Sequence, residues 1–538
     1  MGGMEIFMKK PIKVEDIVKK KKQKIYEKIL EEDSQALDEH KLTGNLEDNE
    51  AFLRSAFKGC TDVVIRPFTV LKTVKAIAVY VEGLTDAKLL DEQVLKQLML
   101  SETSLVESRN IVDYIQQQII SVGKLKTINS LKDVVKNVLE GSTVLLVDGE
   151  VTILSLGISG GERRSISEPV TEVVIRGPRE GFTEDLNTNI SLLRRRLRTP
   201  RLKMESFMIG EISQTKVTMA YVQGIAVDQI LNEVRSRIGR IKIDSVMESS
   251  YIEEFIEDAP FSIFPQVQNT ERPDVVAASL LEGKIAILCD NTPFTLLVPV
   301  VFWGEIHSNE DYYEHFTMST FLRIIRLIFI FIALIAPSFY VAITTFHQQM
   351  IPSKLLMSII DNREPTPFPA VIEALIMEIT FEALREAGIR LPKPVGQAVS
   401  IVGALVIGQA AVEAGLISAP MVIVVAVTGI ASFTIPRYNF SFAVRVLRFP
   451  LIFLAGSFGM FGVTLGVIGI FTHLVNLRSF GVPYFSPVAP LNIKRLKDVF
   501  VRAPMWSMNL RPNLTTNNQN KVRVPAGQKP SPEQGKQK

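Results

Sequence analysis

The chain has 538 residues, room for three or four domains at roughly 150 residues each, which excludes a small disulfide-stapled scaffold. Hydrophobic residues make up 47% and charged ones 22%, which excludes a disordered or collagen-like chain. Sixty Lys+Arg against 57 Asp+Glu leave a net charge of +3, too little to point to nucleic acid, whereas a mean hydropathy of +0.21 is high for a soluble protein of this size.

Residues 1–50 read as a charged, helical N-terminal arm, with Lys in its first half and Asp/Glu in its second. Its lysines precede no apolar core of signal-peptide length, so the first 320 residues are expected in the cytoplasm. From there to about 310, short Val/Ile/Leu runs alternate with amphipathic segments, an α/β pattern. Val74–Val81 reads as a strand leading through Glu82-Gly83 into a helix at Thr85–Leu100, where Leu89, Leu90, Val94, Leu95 and Leu98 recur at helical spacing. Val144–Val147, Asp148-Gly149 and Val151–Leu154 read as a hairpin, since Asp-Gly accepts the positive φ of a tight two-residue turn.

These features recur. Tyr80-Val81-Glu82-Gly83-Leu84 returns as Tyr221-Val222-Gln223-Gly224-Ile225, and Leu139-Glu140-Gly141 as Leu281-Glu282-Gly283. Val144–Gly149 aligns without a gap to Ala286–Asn291, so the offset is 141 or 142 throughout. Two related α/β subdomains are therefore expected, at 51–159 and 202–310, with 160–201 as a bridge. By position, Phe294–Trp303 becomes the second hairpin's outer strand and its extension.

A transmembrane domain is expected at 320–477. Leu327–Ser353 and Phe449–Leu477 contain no charged residue, and Val395–Pro436 contains only Glu413. Spans are expected near 324–346, 395–414, 418–436 and 449–474, with a fifth near 368–386 that Glu373, Glu378 and Glu382 interrupt. With five spans the basic clusters Arg323/Arg326, Arg385/Arg390/Lys393 and Arg437/Arg445/Arg448 share one side, as positive-inside orientation demands. The tail, 478–538, expected to be disordered from about 505, would then lie on the other side, where Lys494, Arg495, Lys497 and Arg502 fit badly. Its side stays open at this level. Cys60 and Cys289 are too few for a disulfide framework.

Enzyme chemistry has no visible carrier. Gly157-Ile158-Ser159-Gly160-Gly161 lacks the Lys-Ser/Thr of a phosphate loop, and the five His form no ligand pair, so neither a metal nor a cofactor is expected. Intramembrane polar groups carry more information, because a carboxylate in hydrocarbon costs at least ~2.5–3.5 kcal/mol unless it faces protein or water. Glu378 and Glu382 share a helix face that Glu373 does not, and Gln409 and Glu413 stand one turn apart. With Gln397 these six are candidates for an aqueous path; the alternative makes 368–386 an interfacial helix with its carboxylates in headgroup water. Gly396, Ser400, Gly403 and Gly408 are candidates for close helix packing. Arg194, Arg195 and Arg196, with Arg176, Arg179 and Glu184, are candidates for a subunit or subdomain interface in which the arginines pair with Glu184 and Asp185.

The stretch from Glu168-Pro169 through Ile175-Arg176-Gly177-Pro178-Arg179-Glu180-Gly181-Phe182-Thr183-Glu184 to the Arg194–Arg198 cluster resembles the A subunit of GerA-type spore germinant receptors. So do Phe381–Pro392 and Gly403–Val412, and the similarity runs from about 50 to 500. The resemblance implies a multi-pass protein of the spore inner membrane working with a transporter-like B subunit and a lipoprotein C subunit. It further implies A subunits that oligomerise, as a pentamer, into a germinant-gated ion channel whose ion release commits the spore to germinate. Two alternatives stay beside it: the sporulation-operon relative that amplifies ion release without direct nutrient sensing, and a non-conducting membrane scaffold. The fold class expected is thus a pair of α/β soluble subdomains followed by a bundle of four or five transmembrane helices.

Overall fold

The structure, a computed structural model, describes residues 42–101, 111–120, 122–160, 168–169, 171–390, 408–512, 514–516, 522–523 and 530. The chain forms two compact units, one of residues up to 257, 267–299 and from 503 onward, the other of 258–266 and 300–502.

The first unit holds two five-stranded antiparallel sheets of one topology. Strands β1 (Val63–Val70), β2 (Val74–Val81), β3 (Leu125–Ile128), β4 (Thr143–Val147) and β5 (Ile153–Leu156) lie in the order β1-β2-β4-β5-β3. Strands β6 (Leu202–Ile209), β7 (Thr215–Val222), β8 (Gln268–Thr270), β9 (Ile285–Cys289) and β10 (Thr295–Val298) repeat it as β6-β7-β9-β10-β8. β4 and β9 are buried at every residue, which is why they read as continuous apolar runs and not as alternating ones.

The duplication extends further than the two sequence matches. Helix α1 (Leu46–Ala56) stands to the first sheet as α5 (Leu186–Arg196) does to the second. Asp148 Oδ1 accepts the Leu46 amide as Asp290 Oδ1 accepts that of Leu186, both at 3.2 Å. Asn49 Oδ1 accepts the Thr43 amide at 3.4 Å, and Asn189 Oδ1 that of Thr183 at 2.8 Å. Helix α5 lies inside the stretch expected to be a bridge, so the second repeat begins near 182 and not at 202. The repeats also share the helix that follows their edge strand, α4 (Leu131–Leu139) after β3 and α8 (Pro273–Leu281) after β8. Gly149 and Asn291 take positive φ, +84° and +68°, as the Asp-Gly signal demands. The turn is longer than two residues, however: the pairs Leu145↔Leu154 and Leu288↔Thr295 leave room for a wider loop, and Val151 is exposed instead of belonging to a strand.

The repeats join edge to edge. Met204 donates its amide to Gly59 O at 2.9 Å and accepts that of Thr61 at 3.1 Å. Beyond β5 the first repeat continues to Ser159, which bridges Thr85. Beyond β10 the second repeat leaves the unit at Pro299, and its corresponding bridge, at Ala226, is made by Thr516. Among the described residues of the tail, Arg511, Thr515, Thr516 and Arg523 pack on the second repeat.

The second unit is a bundle of apolar helices: α10 (Phe316–Phe346), α12 (Ala370–Arg390), α13 (Gly408–Glu413), α14 (Ala419–Phe433) and the stretch Tyr438–Asn476. α9 (Phe302–Ile306) precedes them, and α11 (Ser353–Arg363), which buries none of its residues, links α10 to α12. Tyr438–Asn476 is interrupted at Gly459, whose φ of 59° and ψ of −142° are not helical. There the chain reverses, since a Cβ on Gly466 would meet Leu451 and Leu454, and Phe440 and His473 both pack on Phe264. The expected single span at 449–474 is therefore two antiparallel helices, α15 (438–458) and α16 (460–476). The residues of the expected span 395–414 that precede Gly408 lie outside the described residues.

Candidate functional site

Helix directions decide which polar groups meet. Glu378 of α12 pairs with Arg448 of α15 and Glu382 with Arg445, so α12 and α15 run antiparallel. On its other side α12 pairs Glu373 with Ser418, Phe381 with Gly429 and Arg385 with Ser432, so α12 and α14 run parallel. Small residues permit this approach: a Cβ on Gly429 would collide with the Phe381 ring, and one on Gly456 with Val371.

The seam between α12 and α15 concentrates charge in the interior of the bundle. Glu378 and Arg448 side chains are each only 1% exposed. Arg448 also donates Nε to Ala333 O at 2.8 Å. That carbonyl is available because Pro337, four residues on in α10, has no amide hydrogen to give it. Arg385 sits over the rings of Phe381 and Phe433, at 5.3 and 4.4 Å, and donates to Ser432 Oγ at 2.6 Å. Arg445 lies between the rings of Tyr438 and Phe442, at 5.7 and 5.4 Å. Three arginines thus meet two carboxylates. Several of their buried atoms make no hydrogen bond: Glu378 Oε1, Glu382 Oε1, Arg385 Nε, Arg445 Nε and Arg448 Nη2.

Glu373 serves a different end of the bundle. Its Oε2 accepts from Ser418 N at 2.9 Å and Ser418 Oγ at 2.6 Å, while Oε1 lies 3.5 Å from Arg363 Nε. Ser418 is the N-cap of α14, so this carboxylate sits where a helix start favours negative charge.

The shared face of Glu378 and Glu382 and the separate face of Glu373 follow the helical periodicity. Glu373 and Glu378 are buried and bonded to other helices, while the Glu382 side chain is 27% exposed. Of the partners that neutralise them, Arg445 and Arg448 read in the sequence only as orientation signals, and Arg363 carries no signal at all. Gln409 and Glu413 are exposed and bonded to each other at 2.8 Å. Gly408 is buried, with the position of a Cβ 3.5 Å from Val422. Gly396, Gln397, Ser400 and Gly403 lie outside the described residues.

In the first unit Arg194 grips Asp62, with Nε and Nη2 at 2.6 and 2.7 Å from its two oxygens, and Nη1 reaches Thr199 O at 3.2 Å. The pair is buried between the repeats, its side chains 0% and 4% exposed. Arg196 pairs with Glu180 at 2.9 Å and Arg179 with Glu168 at 3.1 Å, both toward solvent. Arg176, Arg195 and the Glu184 side chain are exposed, and the Asp185 carboxylate, expected among the arginine partners, caps α5 through the Thr188 amide at 2.7 Å.

At the start of the bundle, burial would raise the Asp311 carboxyl, but Arg326 and Arg323 outweigh it and hold it below the usual range. His307, buried and beside Arg323, is pushed down to about 4. Among the described residues no group of His, Cys, Asp and Glu is placed to hold a metal ion.

Residues 51–514 match the model of the Bacillus/Clostridium GerA spore germination protein. The chain is 50% identical over 471 residues to the membrane protein YfkQ of Bacillus subtilis (strain 168), covering 88% of this chain and 91% of that one. It is 44% identical over 493 residues to spore germination protein KA of the same organism, covering 91% and 90%. With spore germination protein GerLA of Bacillus cereus it shares 40% over 472 residues, covering 88% and 96%. Among solved structures, the N-terminal domain of the A subunit of the Bacillus megaterium spore germinant receptor GerK3 is similar at 34% identity and a TM-score of 0.40, covering 49% of this chain and 98% of that one.

Proposed function

Since this chain belongs to the GerA spore germination family, we propose that it is the A subunit of a germinant receptor that oligomerises into a nutrient-gated ion channel of the spore inner membrane. The family match over 51–514 carries the proposal. The transporter-like B subunit and the lipoprotein C subunit are its proposed partners, B being where nutrients act. Two apolar helices long enough to cross a bilayer, one of them folded back at Gly459, support the membrane reading.

The antiparallel helices also suggest a topology. With the span expected at 395–414 counted beside α10, α12, α14, α15 and α16, the crossings number six in place of five. The tail's seat on the second repeat favours an even count, under which the basic tail would no longer be misplaced.

In this reading the Glu378–Arg448 and Glu382–Arg445 pairs are an internal joint, and the exposed Gln409–Glu413 face of α13 borders the conducting path of the assembled oligomer. The neutralised carboxylates also favour a second reading, a non-conducting scaffold, in which Gln409 and Glu413 are merely solvated. Conductance of the purified protein in liposomes, with and without B and C, separates them. A current that requires partners and nutrient together, and whose ion selectivity changes in Glu413→Gln, supports the channel. Release of ions by the intact complex with no current through this chain sinks it.

A further inference from the structure

The two repeats close their sheets with segments from different places. In the first, the local chain supplies Ser159 against Thr85. In the second, the local chain departs at Pro299, and Thr516, after the whole of 300–502, takes the matching place against Ala226.

The seat is the C-terminal end of α8, whose last carbonyls have no partner within the helix. Arg511 Nε donates to Leu281 O at 2.8 Å, and Thr515 Oγ1 and Thr516 Oγ1 donate to Glu282 O at 2.6 and 3.1 Å. Arg523 reaches the Glu282 carboxylate at 3.3 Å and donates its amide to Asn509 O at 2.8 Å. Cationic side chains are favoured at this end of a helix. The backbone of Thr515 and Thr516 occupies the space where Gly283, at φ +82°, would carry a Cβ; at Gly141, its counterpart in the first repeat, a Cβ would stand 3.8 Å from that of Ser159.

We propose that Arg511, Thr515, Thr516 and Arg523 form a strap by which the chain returning after 300–502 holds the second repeat a second time, so that a movement of this repeat pulls on both ends of that segment. The partner of the seat is the chain's own tail, offering threonine hydroxyls and arginines to helix carbonyls. Only the ion-release readout below rests on the channel reading; the cross-link does not.

The test uses the full chain in membranes with B and C. Ala226→Cys with Thr516→Cys places two thiols on bridged residues, while native Cys60 and Cys289 are buried. Oxidation is expected to close a disulfide within one chain, with nutrient-triggered ion release retained within about twofold. Arg511→Ala with Thr515→Ala and Thr516→Ala is expected to cut that release tenfold or more while the complex still assembles. Gly283→Ala, which displaces Thr515, takes its place should the triple variant not accumulate. Cross-linking no faster than for a Ser159→Cys/Thr516→Cys control, cross-links between chains, or an unstrapped variant that responds like the parent would each overturn the proposal. If no variant and no parent conducts, the channel reading fails while an intrachain disulfide still upholds the seat.

Discussion

Two buried ion pairs invite comparison, Arg194–Asp62 between the repeats and Arg448–Glu378 inside the helical bundle. Both are almost wholly removed from solvent. The first is bidentate, with Thr199 O taking a further proton of the guanidinium, so few alternatives compete with its geometry. The second leaves Glu378 Oε1 and Arg448 Nη2 without partners, beside Glu382, Arg445 and Arg385, which also have atoms to spare. A fully bonded pair fixes one arrangement, whereas an under-bonded cluster has others close in energy. Rigidity is thus built into the soluble unit, and freedom to rearrange into the bundle.

The largest effect is expected where the bonding is complete. Arg194→Met strands a buried carboxylate and should cost about 3–5 kcal/mol, while Asp62→Leu with Arg194→Met should restore most of it; thermal melts of the solubilised protein check both. Acid tests the bundle independently of mutation. His307 has a folded pKa of about 4 against an ordinary 6.5, so the unfolded chain binds the proton first and stability is lost as pH falls between those values. The loss should reach about 3 kcal/mol near pH 4, and His307→Gln should flatten melting curves across that window.

Glu378→Gln probes the under-bonded pair. It should cost less than Arg194→Met, about 1–3 kcal/mol, because Ala333 O still holds Arg448, and it should raise the basal ion leak; an unchanged leak would make the cluster merely structural. The smallest effect belongs to an exposed pair, Arg66–Asp91, whose side chains are 46% and 58% accessible. Arg66→Ala should shift the melt by no more than about 1 kcal/mol.

Much of this was legible in the sequence, for local reasons. Offsets of 141 and 142 revealed the duplication because strands, turn glycines and helix ends keep their order in a repeat. Helical periodicity placed Glu378 and Glu382 on one face and Glu373 on another. What stayed hidden is long-range pairing. Arg445 and Arg448 read as orientation signals, and nothing local ties them to carboxylates 63 and 70 residues away. Helix α5 was absorbed into a bridge because the Gly/Pro-rich chain before it masked the start of the repeat. The reversal at Gly459 was invisible for another reason: Gly456, Gly459, Gly462, Gly466 and Gly469 suit close helix packing equally well, and only one of them turns the chain.

Pro337 carries a mechanical consequence. Its missing amide hydrogen leaves Ala333 O to Arg448, so the winding of α10 at that turn and the charge balance of α15 share one atom. No change in the winding of α10 can supply the missing donor, so an outward swing of Arg448 leaves a bare carbonyl in the interior of the bundle. The proline and the charge behave as a single joint.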